Sequence, residues 1–186
     1  MNKVLMISVL IFLAVFTVQA QHSEKTLEQI REWFKEVNAK TSQYRKVEYA
    51  DIQINKDINA ERYSMEGEEI YRLGNVHMTK FFEGVQIVKI VVDFYGDRQD
   101  LTSEYYFKDN NLFFVDKIWT VYKKPKWLEG FKETERSTVK NRFYFKDDQL
   151  IRWINPEVSS VGKMDPAYPK HETKILNDSN LYSSIE

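Results

Sequence analysis

From Tyr44 to Asn155 the chain keeps a two-residue rhythm of apolar and polar side chains, broken at short intervals by polar pairs. This rhythm constrains the fold more than any other feature. Successive side chains of a strand point to opposite faces, so period two means strands with two distinct faces. The breaks Glu66-Gly67, Glu83-Gly84, Asp109-Asn110 and Asp147-Asp148 read as tight turns. Strand candidates cover 45–54, 61–65, 69–73, 76–82, 85–95, 102–108, 111–123, 138–146 and 149–154. A longer loop over 124–137 carries Pro125, Trp127 and Gly130, and Asn155-Pro156 ends the sheet. Strands joined by turns this short pair antiparallel. The expectation is a meandering antiparallel sheet of about six to eight strands. The 12 Phe, 11 Tyr and 4 Trp against only 6 Gly suit such a sheet.

Before the sheet the period is that of a helix. Leu27, Ile30, Phe34 and Val37 recur at helical spacing within 23–40, with Trp33 beside them and charged residues on the other side. Thr26-Leu27-Glu28-Gln29 fits a capping box. One amphipathic helix packed on an antiparallel sheet makes the fold class α+β. After the sheet, 156–186 reads as a tail with Pro166 and Pro169, then a weak helix from Lys170 onward.

Two hairpins resemble each other. Tyr105-Tyr106-Phe107-Lys108-Asp109-Asn110-Asn111-Leu112 runs parallel in pattern to Phe143-Tyr144-Phe145-Lys146-Asp147-Asp148-Gln149-Leu150. Asp and Asn tolerate the positive φ that a type I′ turn needs. With the helix segment Ile30-Arg31-Glu32-Trp33-Phe34-Lys35-Glu36-Val37-Asn38 and the strands Ile90-Val91-Val92-Asp93-Phe94-Tyr95-Gly96 and Gln149-Leu150-Ile151-Arg152-Trp153-Ile154, these runs resemble a group of uncharacterised exported proteins of Bacteroidota-type bacteria. The resemblance covers residues 27–155. It implies a helix plus an antiparallel sheet and an envelope location, and it implies no activity. The hairpin units are also weakly similar to MORN-like strand–turn–strand repeats, although Asn110 and Asp148 stand where those repeats favour Gly.

Residues 1–20 have the three parts of a signal peptide: Lys3, an apolar run from Val4 to Val18, and the small-residue exit Val18-Gln19-Ala20. The apolar run is short for a membrane span of about 20 residues. Cleavage would leave Gln21 as the first residue of a periplasmic or secreted protein, with 21–155 as the helix-plus-sheet domain and no membrane span. The chain has no cysteine, so neither a disulfide nor a lipidated cysteine is expected. Without Lys3, 26 basic side chains face 28 acidic ones, a net of −2. There is no basic excess to neutralise phosphates, so nucleic acid is not an expected partner.

The sequence carries none of the G-x-S-x-G, P-loop, G-x-G-x-x-G or H-E-x-x-H patterns, and thiol chemistry is ruled out. No cofactor is implied. His22, His77 and His171 are scattered, so no zinc site is expected. The run from Asn55 to Glu66 imitates a calcium loop, but it starts with Asn and has Ala60 where the turn needs Gly. The adjacent pairs Glu68-Glu69 and Asp147-Asp148 point apart or into water rather than across a substrate. A non-enzymatic binding or interaction module, with an unknown envelope or extracellular partner, is the favoured class. The alternative is a hydrolase using carboxylates brought together from distant positions.

Register supplies a candidate surface. A two-residue turn at Asp109-Asn110 pairs Phe107 with Leu112 and Tyr105 with Phe114. With the second hairpin read alike, one face holds Tyr105, Phe107, Phe114, Phe143, Phe145, Leu150 and Ile154. The other holds Glu104, Tyr106, Phe113, Val115, Lys117 and Trp119 from the first hairpin and Arg142, Tyr144, Ile151 and Trp153 from the second, with Arg142 opposite Trp153. Large rings mixed with charge are what a binding platform needs, so Tyr106, Trp119, Arg142, Tyr144 and Trp153 are the predicted ligand-binding set. The N-terminal helix is expected on the Phe107/Phe145 face. Tail residues such as Ile175 and Tyr182 are expected to be able to cover the other.

Overall fold

The computed structural model describes residues 24–50, 52, 73–155 and 161–186. The signal-type run 1–20, the calcium-like run, the turn at Glu66-Gly67 and the strand candidates 61–65 and most of 69–73 lie outside the described residues. The fold is α+β: among the described residues, a seven-stranded antiparallel sheet with a helix on each face. Helix α1 covers 24–39, and a 3-10 turn, Thr41–Gln43, leads from it into the sheet. The strands are β1 (Arg45–Tyr49), β2 (Leu73–Glu83), β3 (Gln86–Gly96), β4 (Gln99–Lys108), β5 (Asn111–Tyr122), β6 (Arg136–Lys146) and β7 (Gln149–Ile154). They lie in the sheet in chain order, a pure meander. Helix α2 (Ala167–Ser184) follows.

The turn chemistry decides the hairpins. Asp109, Asn110, Asp147 and Asp148 all have positive φ, between 50° and 63°. That is the left-handed backbone a two-residue I′ turn demands. The β2–β3 turn sits one residue later than the sequence suggests, at Gly84-Val85, because Gly84 takes the positive φ of 63°.

Each of the two similar hairpins contains a β-bulge next to its turn. Phe107 pairs with Leu112, but Tyr106 pairs with Phe114, so Phe113 is an extra residue. Likewise Phe145 pairs with Leu150 and Tyr144 with Arg152, which makes Ile151 the extra one. A bulge puts two residues opposite one and reverses the in/out parity of everything beyond it. Hence Phe113 and Phe114 both turn toward α1, while Val115, Lys117, Trp119 and Trp153 turn toward α2.

This reversal corrects two expectations. Arg142 lies opposite Ile154, and Trp153 lies opposite Phe143. Helix α1 packs on the Tyr106/Tyr144 face, where Leu27, Ile30 and Val37 bury against Phe81, Tyr106, Phe113, Phe114 and Tyr144. The Phe107/Phe145 face is covered instead by α2, through Tyr168, Ile175 and Tyr182. Pro169 does not prevent that helix, since it falls in the first turn, where backbone N–H groups have no partner within the helix. The edge strand is tied down by the same helix: Tyr168 donates to the Leu150 carbonyl at 2.8 Å, and Glu172 accepts from the Leu150 N–H at 2.7 Å. At the far end of α2, Lys80 donates to the carbonyls of Ser183 and Ile185. A buried cation there complements the helix dipole.

Candidate functional site

The five residues read from the sequence as one platform are divided between the two faces of the sheet. Tyr106, Arg142 and Tyr144 lie on the α1 side, and Trp119 and Trp153 on the α2 side. Tyr106 is 0 % exposed. Its hydroxyl donates to Glu104 Oε2 at 2.6 Å and sits 3.2 Å from Asn38 Oδ1. Lys89 lies over its ring at 4.8 Å and pairs with Glu104 at 2.9 Å. Burial, followed by the Glu104 carboxylate, pushes the Tyr106 hydroxyl far above its ordinary pKa. This knot fastens the end of α1 to the sheet, so Tyr106 is part of the α1 core. Tyr144 is buried under the same helix, 5.0 Å from the Phe114 ring, and Arg142 beside it is exposed.

The two tryptophans line a cavity of about 300 Å³ between α2 and strands β4 to β7. Its floor is the sheet, where Leu101 and Val139 flank Trp119 as direct cross-strand neighbours. One wall is an aromatic group. Trp153 stacks on Phe143 with centroids 5.5 Å apart and planes 24° apart, and His171 of α2 closes over Trp153 at 4.4 Å. The Trp153 indole N–H donates to Asn141 Oδ1 at 2.9 Å, which fixes the ring's orientation. The other wall is charged. Lys117 from β5 and Lys174 from α2 each approach the buried Asp178 carboxylate at 3.5 Å. The Tyr105 hydroxyl also reaches Asp178, at 3.4 Å.

Such a cavity is apolar over most of its wall, with a few polar groups converging at one end. Rings present contact area at low entropic cost, and two ammonium groups that share the single Asp178 carboxylate leave one net positive charge to favour an acceptor or a negative group. The sequence pointed to Trp119 and Trp153 and placed Lys117 on one face with Trp119, as the structure does, but it missed Lys174, Asn141 and His171 as their neighbours. Nothing local to α2 says which strand it covers.

The sheet also brings two carboxylates directly opposite each other, Glu104 and Asp116. Each is committed to its own lysine, Lys89 at 2.9 Å and Lys140 at 2.7 Å, so the hydrolase reading gains nothing from this pair. Among the described residues, no group of three or more His, Asp or Glu side chains is arranged to hold a metal ion, and no helix is long and apolar enough to cross a membrane. No protein-family model, no curated protein and no solved structure matches the chain.

Proposed function

We propose that the protein is an exported, non-enzymatic binding module whose ligand is a small planar aromatic acid. The observation that carries this reading is the 300 Å³ cavity in which the rings of Trp119, Phe143, Trp153 and His171 face the ammonium groups of Lys117 and Lys174. An aromatic body would lie against the indoles, and its carboxylate would accept hydrogen bonds from the lysines. The residues sit on strands and a packed helix rather than on loops, which supports a site formed before the ligand arrives. Export rests on the signal-type segment 1–20 and on the resemblance to exported envelope proteins.

The test uses the four indole N–H groups as reporters. Phenylacetate and indole-3-acetate are titrated into the ¹⁵N-labelled mature protein. The signals of Trp119 and Trp153 should move, and those of Trp33 and Trp127 should stay. No movement of the Trp119 and Trp153 signals at millimolar ligand, or equal movement of all four, rejects the site.

A further inference from the structure

The opposite face of the sheet holds a second groove, of about 370 Å³, between α1 and strands β5 and β6. Its apolar side consists of Phe34, Phe114 and Tyr144, and Phe34 stands 5.0 Å from the Phe114 ring. Its polar side consists of Asp116, Lys140 and Arg142. Asp116 is only 2 % exposed. Its Oδ2 accepts from Lys140 at 2.7 Å, while its Oδ1 is fully enclosed and has no hydrogen-bond partner among the described residues. Native proteins rarely leave a buried carboxylate oxygen unmatched, because the loss of hydration is not made good. Burial accordingly pushes the Asp116 carboxyl above the usual range, against the pull of Lys140.

What would satisfy that oxygen is an O–H or N–H donor entering from the groove. The same groove presents cationic donors. Arg142 is exposed beside Asp116, and the Lys140 side chain that covers the carboxylate is 40 % exposed. The two cations that α1 contributes, Arg31 and Lys35, are already paired with Glu24 and Glu32. An occupant must therefore combine three features: a hydrogen-bond donor, a negative group, and an apolar face to lie on three rings.

We propose that this groove is a second binding site, for a hydroxylated carboxylate of the sugar-acid class. Lys140 stays on Asp116 Oδ2, a ligand hydroxyl donates to Asp116 Oδ1, and the ligand carboxylate takes a two-pronged contact from the Arg142 guanidinium. The C–H face of the sugar ring lies on Phe34 and Tyr144. Neutral sugars lack the carboxylate, and simple fatty acids lack the hydroxyl.

Isothermal titration with glucuronate, glucose and an oligo-uronide tests this. Glucuronate should bind and glucose should not. Arg142→Gln should weaken binding at least tenfold without moving the unfolding temperature, because Arg142 is on the surface. Asp116→Asn should weaken it as well; if that variant does not fold, Arg142→Gln decides. Binding of the oligo-uronide but not of the free acid supports the same chemistry and assigns it to a polymer. Absence of heat with both uronides, binding of glucose as tight as glucuronate, or unaltered binding by Arg142→Gln overturns the proposal.

Discussion

Phe143 and Trp153 face each other across β6 and β7, nearly parallel, with ring centroids 5.5 Å apart. The pairing exists only because Ile151 is an extra residue in β7, and it places Trp153 in the core that α2 covers. Trp153→Ala should therefore cost about 3–5 kcal/mol, the usual loss for a buried large ring. Urea unfolding measures it, and a midpoint within error of the wild type would contradict this packing.

Phe34 differs from Trp153 in degree. It is half-buried, resting on Tyr106 and Phe114 at 5.0 Å from each ring. Phe34→Ala should cost less than a fully buried ring, about 2 kcal/mol. An unchanged unfolding midpoint would mean that α1 contributes little to the stability of this face.

The meander was legible in the sequence because its causes are local. Alternation sets the strands, and Asp or Asn at positive φ sets the turns. The faces were not legible beyond the bulges. Nothing in Leu112-Phe113-Phe114 says that two of the three residues share a side, and two unforeseen residues, Phe113 in β5 and Ile151 in β7, move Trp119 and Trp153 to the opposite face. Helix α2 was only weakly visible for a different reason. Its buried stripe includes Asp178 and Ser179 with Tyr168, Ile175 and Tyr182, so its amphipathic contrast is low. The candidate site inherited both errors: its rings were named correctly as large aromatics on the sheet, but they were assembled on one plane.

Alkaline stability should depend on the buried tyrosines. Burial, then the nearby Glu172 charge, pushes the Tyr168 hydroxyl up to about 12, and burial pushes Tyr106 up as well. In the unfolded chain both ionise near the ordinary value of about 10. A folded-state pKa above the unfolded one contributes stability that is complete below pH ~10 and is lost as pH rises from there through the folded value. The urea midpoint should fall above pH ~10. In Tyr168→Phe the fall should be shallower, on a baseline lowered by about 1 kcal/mol for the lost bond to Leu150. An equally steep fall in that variant would remove Tyr168 from the explanation.

Cleavage after Ala20 is expected from the Val18-Gln19-Ala20 exit. Intact-mass measurement of the protein from the envelope or medium of an expressing bacterium should give a chain that starts at Gln21. A mass that still includes residues 1–20 would contradict both the processing and the export reading.

The two I′ turns allow a stabilising change. Asp148 holds φ 57° at the second turn position of the β6–β7 hairpin, and Asn110 holds φ 63° at the equivalent position of β4–β5. Left-handed backbone costs an ordinary L-residue about 1–2 kcal/mol, less for Asn and Asp, and costs Gly nothing sterically. Glycine's larger unfolded-state entropy works against part of that gain. Two neighbouring aspartates, Asp147 and Asp148, add like-charge repulsion in the second turn that Asp109-Asn110 lacks. Asp148→Gly should therefore stabilise the protein by up to about 1 kcal/mol, and Asn110→Gly by less. Thermal unfolding of the two variants side by side checks the order. If Asn110→Gly gains more, charge repulsion in the second turn is not the deciding difference, and backbone strain alone must rank the two sites.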